Sequence, residues 1–593
     1  MKLRAAVVAI ALVASGFSRT TEAQQELGTI DFPTSGSAAA QPLFIKGVLL
    51  MHSFEYDDAR EAFVEAQKAD PGFAMAYWGE AMTFNHAVWQ RTSPDLAKAA
   101  LAKLAATPDA RRVRAPTERE KDWLGAVERL FGAGEKRVRD LAYADAMKRM
   151  HDKYPADDEV TSFYALAILG TSHGGRDFSI YMRAAALDEQ VYAKNPQHPG
   201  AAHYLIHAYD DPVHAPLGLR HADAYSKIAP AASHALHMPS HIYVAMGMWD
   251  ESAAINERSV KAADARREAK KLDVDERGFH ALLWLVYSYT QQGRYEDARG
   301  TLAQIEAAAT ESGSERTRSH LALARAAWLI ETRKWGEAKA PVMSKGLPKD
   351  AAIADLFAIG FAGIRSGNRA AAANAMEQMA ALMQEAPVNG APVRSAPSAA
   401  PARPGITPIV PGPRAVPAPG TQPPGTQAPG TKPPAPQAHE AHQAPGAVGL
   451  PTAGAAGDPR VPQVMAQQLE AALLFAQGRR EEALVLARQA AVVEAGLSFE
   501  FGPPVPVKPA NELVGEMLMD LRRPREAIEA FQLSLKRTPR RTLSLLGLAR
   551  ASMAAKDIAT AQRAYGELRD IWKKADKTLP ELKELGLVPP PSY

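Results

Sequence analysis

The sequence predicts an all-α fold: a right-handed solenoid of stacked helical hairpins, interrupted once by a disordered proline-rich linker. Three observations carry that expectation. A spacing of small residue, aromatic residue and proline recurs along the chain, and helical periodicity persists between the recurrences. At 593 residues the chain is also too long for a single small core. The net charge is only +3, with basic and acidic residues interleaved, so no Lys/Arg stripe marks a nucleic-acid partner.

Taken in order, Lys2 and Arg4 precede an apolar run from Ala5 to Phe17, and Thr21-Glu22-Ala23 offers a small-residue cleavage site before Gln24. That order reads as a secretory signal peptide over 1–23, giving a periplasmic or secreted protein with no membrane span once it is removed. The chain has no cysteine, which rules out disulfides and thiolate metal ligands. Residues 24–40 are small and polar and read as an extended leader.

From residue 41 the repeat spacing begins: Gly47, Ala59, Phe63, Ala66 and Pro71. Small residues let two helices approach, the aromatic fills the gap, and proline ends the second helix. The pattern is similar to the tetratricopeptide repeat, a helix pair of about 34 residues. Matching turns recur at Arg294–Ala298, Lys334–Ala338, Asn368–Ala372 and Arg479–Ala483. A late copy has Gly515, Leu518, Ala527, Phe531 and Pro539, and a last one has Ala549, Ala561 and Tyr565. The array is expected over 41–385 and 464–580, with a tail at 581–593 and the register lost between 92 and 155. Residues 386–463, rich in Pro, Ala and Gly, have too little apolar side chain to offset ordering entropy and read as the disordered linker. His439 and His442 fall in it and are taken as incidental. The segment Phe499–Glu512 reads as ordered, with Lys508 and Glu512 facing solvent.

Half of the sixteen histidines fall between Pro196 and Asp250. A repeat begun at Pro199 puts Ala202, Leu205, Ile206 and Tyr209 on the core face. The resemblance to the tetratricopeptide family implies which positions line a concave groove: His52, His86, His203, His207, Asp210, Asp211, His234, His237, His241 and His280, with His320 in the same register. His203/His207 and His237/His241 are each one helical turn apart, so two imidazoles of a pair can share an ion. Two pairs on adjoining helices, with Asp210 as an oxygen ligand, make a candidate metal site of His203, His207, Asp210, His237 and His241 for Zn, Cu, Fe or Ni. His198, His214 and His221 read as structural. Gly170-Thr171-Ser172-His173-Gly174 matches a nucleophile-elbow pattern but follows a helical run, so a helix-ending turn is the better reading. Tyr77, Trp78 and Met82 read as packing.

Three segments, His52–Met82, His198–Tyr243 and Phe501–Leu518, together resemble a family of exported bacterial tetratricopeptide proteins with a His-rich segment. The resemblance implies the fold and brings no activity. With no catalytic motif in its required context, binding is favoured over catalysis. The expected function is an exported scaffold holding a peptide or protein partner in its concave face. The alternative is a metal-binding or metal-dependent protein, hydrolytic or oxidative, with its His/Asp site on two adjacent repeats.

Overall fold

The structure is a computed structural model; it describes residues 26–342, 346–384, 458–499 and 502–586. The signal peptide and nearly all of the linker expected from the sequence lie outside these residues, as do His439 and His442. The described chain is an array of helical hairpins of the tetratricopeptide type, each helix packing chiefly on the next and the next but one. Its only strands among the described residues are β1 (Asn85–His86) and β2 (Arg91–Thr92), which form a short antiparallel ribbon.

The first hairpin is α1 (Gln41–His52) and α2 (Tyr56–Ala69), followed by α3 (Ala74–Met82). Its repeat spacing has a direct steric cause. A Cβ on Gly47 would lie 2.6 Å from Phe63 Cε1, and one on Gly79 would lie 2.4 Å from Phe63 Cδ1. Phe63 thus occupies a bed that two glycines leave open. Gly515 and Gly547 do the same for Phe531 near the other end of the chain, at 2.7 and 2.3 Å.

Through the stretch where the register fails, α4 (Pro94–Ala102), α5 (Pro108–Arg114), α6 (Glu118–Leu130) and α7 (Lys136–Lys153) continue the helical packing. Then come α8 (Asp158–Leu169), α9 (Phe178–Lys194), α10 (Pro199–Tyr209) and α11 (Ala215–Ile228). The stretch holding His237 and His241, expected one turn apart on a helix, is broken into α12 (Ser233–His237) and α13 (Pro239–Met246), because Pro239 has no N–H to continue the ladder. It is followed by α14 (Trp249–Lys270), α15 (Phe279–Gln291), α16 (Tyr295–Ser312) and α17 (Glu315–Thr332).

The leader is anchored to the array: Leu27, Ile30 and Phe32 are buried, and Thr29 N–H donates to Gln197 O while Asn195 Nδ2 donates to Thr29 O. Two further expectations are corrected. The Lys334–Ala338 match contains only a 3₁₀ turn, Trp335–Glu337, and α17 packs directly on α18 (Lys349–Ser366). The later helices are α19 (Arg369–Gln384), α20 (Arg460–Ala476), α21 (Arg480–Ala495), α22 (Ala510–Asp520), α23 (Pro524–Arg537), α24 (Thr542–Ala555) and α25 (Ile558–Ile571), so the C-terminal repeats begin before residue 464.

These C-terminal repeats stack on the earlier ones, α20 lying against α18 and α19. Their far end also reaches back to the middle of the chain. Trp249 Nε1 donates to Arg540 O, and Trp572 Nε1 donates to Gln291 O, both at 3.0 Å. Arg541 bridges Glu331 at 2.5 Å and Glu512 at 2.7 Å, with Lys508 on the other oxygen of Glu512 at 2.7 Å. Lys508 and Glu512, expected at the surface, are therefore buried at the centre of this junction.

Glu494 belongs to the same region and accepts the Ala510 N–H at 2.9 Å. Burial raises its carboxyl from an ordinary 4.5 to about 7. A raised carboxyl favours the folded protein while protonated, so this contribution is greatest below pH 4.5 and is lost as pH climbs through about 7. The loss is about 3 kcal/mol. Glu494→Gln keeps the acceptor and removes the charge; thermal melts over that window should show the variant gaining stability relative to the parent as pH rises.

Candidate functional site

α10 is started by His198, whose Nδ1 accepts the Ala201 N–H at 3.1 Å, and by Pro199 at its first turn. It presents His203 and His207, ring centres 4.8 Å apart. Across from it α12 supplies His234 and His237, α13 supplies His241, and α15 supplies His280. His203 lies 5.0 Å from His234, His207 lies 5.7 Å from His241, and His237 lies 4.4 Å from His280. The kink at Pro239 leaves His237 and His241 with ring centres 5.0 Å apart. All six side chains are inside the protein, between 0% and 8% exposed. Phe54 and Tyr225 wall one side, at 4.3 and 5.2 Å from His203, and Trp284 lies 4.5 Å from His241 on the other.

The partners of these rings fix their tautomers. His203 Nδ1 lies 2.6 Å from the His52 carbonyl, which can only accept, so the proton is on Nδ1. His241 Nδ1 lies 2.5 Å from Asp210 Oδ2 and donates to that carboxylate. His237 Nδ1 lies 2.6 Å from Asn256 Oδ1, and the Asn256 amide is oriented by donating its Nδ2 to Ser252 O at 2.8 Å. Both protons are thus committed on the outer side of the His237/His241 pair. Their Nε2 atoms nevertheless face each other at 3.1 Å. When both rings are neutral, these two nitrogens meet lone pair to lone pair.

Burial opposes charge on five of the six rings. Desolvation pushes His203 down to about 3, and it drives His207, His234, His237 and His280 well below the ordinary imidazole range, with neighbouring imidazoles adding to the effect. His203 Nε2, His234 Nε2 and His280 Nδ1 are buried without a hydrogen-bond partner. Unsatisfied buried nitrogens are costly, and several at one place leave room for an added partner, a water or a cation.

Donor nitrogens fall into two trios, His203/His207/His234 and His237/His241/His280, the atoms of each within 4.8 Å of one another. A third group, His52, Glu159 and His198, meets the same distance criterion but is chemically closed. His198 Nδ1 accepts at the helix start and its Nε2 donates to Glu159 Oε1 at 3.0 Å. His52 Nε2 donates to Glu159 Oε2 at 2.9 Å, and its Nδ1 accepts from Tyr204 OH at 2.9 Å. Every nitrogen is used. Although burial opposes it, the two imidazoles hold Glu159 down at about 2.

The remaining site expectations fall as follows. Asp210 bonds to His241 and orients it, in place of the oxygen-ligand role expected from the sequence. Asp211 accepts from Val213 N–H, His214 N–H and His214 Nδ1, building the turn before α11. His86 stacks on Tyr56 at 4.1 Å, apart from the six rings, and His320 bonds to Arg316 O at 2.8 Å. His214 and His221 pair with Asp211 and Glu189. Because the predicted groove histidines other than the half-buried His86 are buried, a peptide lying in an open concave face would not meet them. A cleft of about 50 Å³ does reach Asp210, bordered also by Trp249, Tyr287, Pro504 and Arg537. Asn256 escaped the sequence reading, since no spacing rule reveals a partner on the facing helix.

No protein-family profile matches the chain, and no curated protein matches it. Among solved structures, the APC/C hetero-tetramer Cut9–Hcn1 is similar at a TM-score of 0.34 and 9% identity, over 97% of this chain and 81% of that one. A human IFIT1 dimer with m7Gppp-AAAA is similar at 0.34 and 11% identity, over 95% of each chain. Yeast Tom70 follows at 0.29 and 11% identity, over 92% of this chain and 94% of that one. Likenesses this weak carry no argument, and the fold rests on the helices themselves. No described helix is long and apolar enough to cross a membrane.

Proposed function

We propose that the chain is an exported metal-binding protein on a helical-repeat scaffold, with His237, His241 and His280 holding a transition-metal ion. The single observation behind this is the pair of Nε2 atoms at 3.1 Å, each on a ring whose proton is committed to an acceptor on its far side. A cation between or beside them turns that repulsion into coordination. Imidazole donors without carboxylate or thiolate suit copper or zinc better than hard cations such as magnesium or calcium. The Asp210–His241 bond has the form in which a carboxylate orients a ligating imidazole and raises its basicity. Export is supported by the charged, apolar and small-residue order of the first 23 residues, and N-terminal sequencing of the mature protein tests it.

The test is element analysis and metal titration of the untagged chain. At least one equivalent of copper or zinc is expected, and a His237→Ala/His241→Ala variant that keeps its helical circular dichroism should bind one equivalent fewer. A native chain that retains neither metal after loading and dialysis would overturn the reading. Asp210→Asn should keep the fold and weaken metal affinity by about 10- to 100-fold, measured by competition with a chromophoric chelator.

A further inference from the structure

We infer that a second ion of the same class sits beside the first, on His203, His207 and His234, so that the protein holds an adjoining pair of metal ions. This rests on the reading of the first trio and extends it. Three observations carry it. The donor nitrogens of these three residues lie within 4.8 Å of one another, a spread that small rotations contract onto one ion. His203 spends its only proton on the His52 carbonyl, so its inward Nε2 is a bare acceptor, fully buried and without a hydrogen-bond partner. His234 Nε2 is likewise buried and unpartnered. These nitrogens come from two repeats, yet they meet around one wall: the Phe54 ring lies 4.3 Å from His203, 5.7 Å from His207 and 5.6 Å from His234.

One ion does not account for all six rings. A zinc or copper ion takes about four donors at ~2.0–2.1 Å, and six imidazoles exceed that set. The donor nitrogens group as two trios with no residue in common, and the two adjoin, His207 lying 5.7 Å from His241 and His234 lying 6.1 Å from His237. With only imidazole donors in each trio, the ligand class is an imidazole-preferring ion, Cu(II) or Zn(II), at both positions.

The metal-free full-length chain is titrated with Cu(II), and in parallel with Zn(II), and bound metal is counted after gel filtration. The expected result is two equivalents of either ion. The copper-loaded protein should also show an electron paramagnetic resonance spin count well short of its copper content, because neighbouring Cu(II) ions couple. His203→Gln/His234→Gln should retain one equivalent and recover a full spin count. A native count of one equivalent overturns the pair and leaves the first site standing; a count of zero removes both. Two equivalents with a full spin count, or two equivalents persisting in the variant, place the second ion elsewhere and overturn the proposal. The native count and spin measurement decide the matter even if the variant does not fold.

Discussion

Arg541→Met is expected to lower the unfolding free energy by about 3–5 kcal/mol, seen as a marked drop in the urea midpoint. The guanidinium sits between Glu331 and Glu512 with no exposure of its own, and both carboxylates are nearly as deeply buried. Burial tends to raise both acids, and Arg541 with Lys508 outweighs it at Glu512, holding that carboxyl below the usual range. At Glu331 burial prevails and the carboxyl is raised. Removing the cation leaves Glu331 with the Gln291 amide, which donates at 2.8 Å, as its remaining partner. Adding Glu331→Gln to Arg541→Met should recover part of the loss, since it removes the stranded charge. A double variant no better than Arg541→Met alone would show that packing, and not the ion pair, is what the arginine supplies.

Metal removal is the second large effect. An ion that binds only the folded chain stabilises it by RT ln(1 + [L]/Kd), which is about 4 kcal/mol when metal is a thousandfold above its dissociation constant. Calorimetry of the loaded protein, repeated after chelation, should show the transition shifted downward in temperature. The shift should shrink in His237→Ala/His241→Ala and vanish when His203→Gln/His234→Gln is added, the melt then being the same with and without chelator. A chelator-induced shift that survived in the combined variant would locate the stabilising ion away from these rings.

The array was legible in the sequence where its cause is local. Gly47 and Phe63 show their packing in their spacing, because a ring resting on a glycine fixes residue type at both positions. The one-turn spacing of His203 and His207 likewise foretold two neighbouring rings. What spacing could not give is which rings group across helices. His234 and His280 complete the trios because Pro239 breaks the helix and α15 lies alongside, both consequences of tertiary packing. Asp210 read as a ligand from its place after α10, yet its carboxylate is taken by His241 Nδ1. Lys508 and Glu512 looked solvated because the residue that buries them, Arg541, stands far along the chain and meets Glu331 much earlier in it. The Lys334–Ala338 match failed for the opposite reason: a local pattern was present, but only a 3₁₀ turn formed from it.

The return of the last repeats to the middle of the chain changes how such an array comes apart. An open stack of hairpins frays from its ends, each unit opening nearly on its own. Here Trp572 and Arg541 tie the terminal units to Gln291 and Glu331, so peeling the end away breaks contacts made some 200 to 300 residues earlier. The C-terminal end of the described array is therefore coupled to its centre, an arrangement that favours a more cooperative transition at the cost of slower assembly.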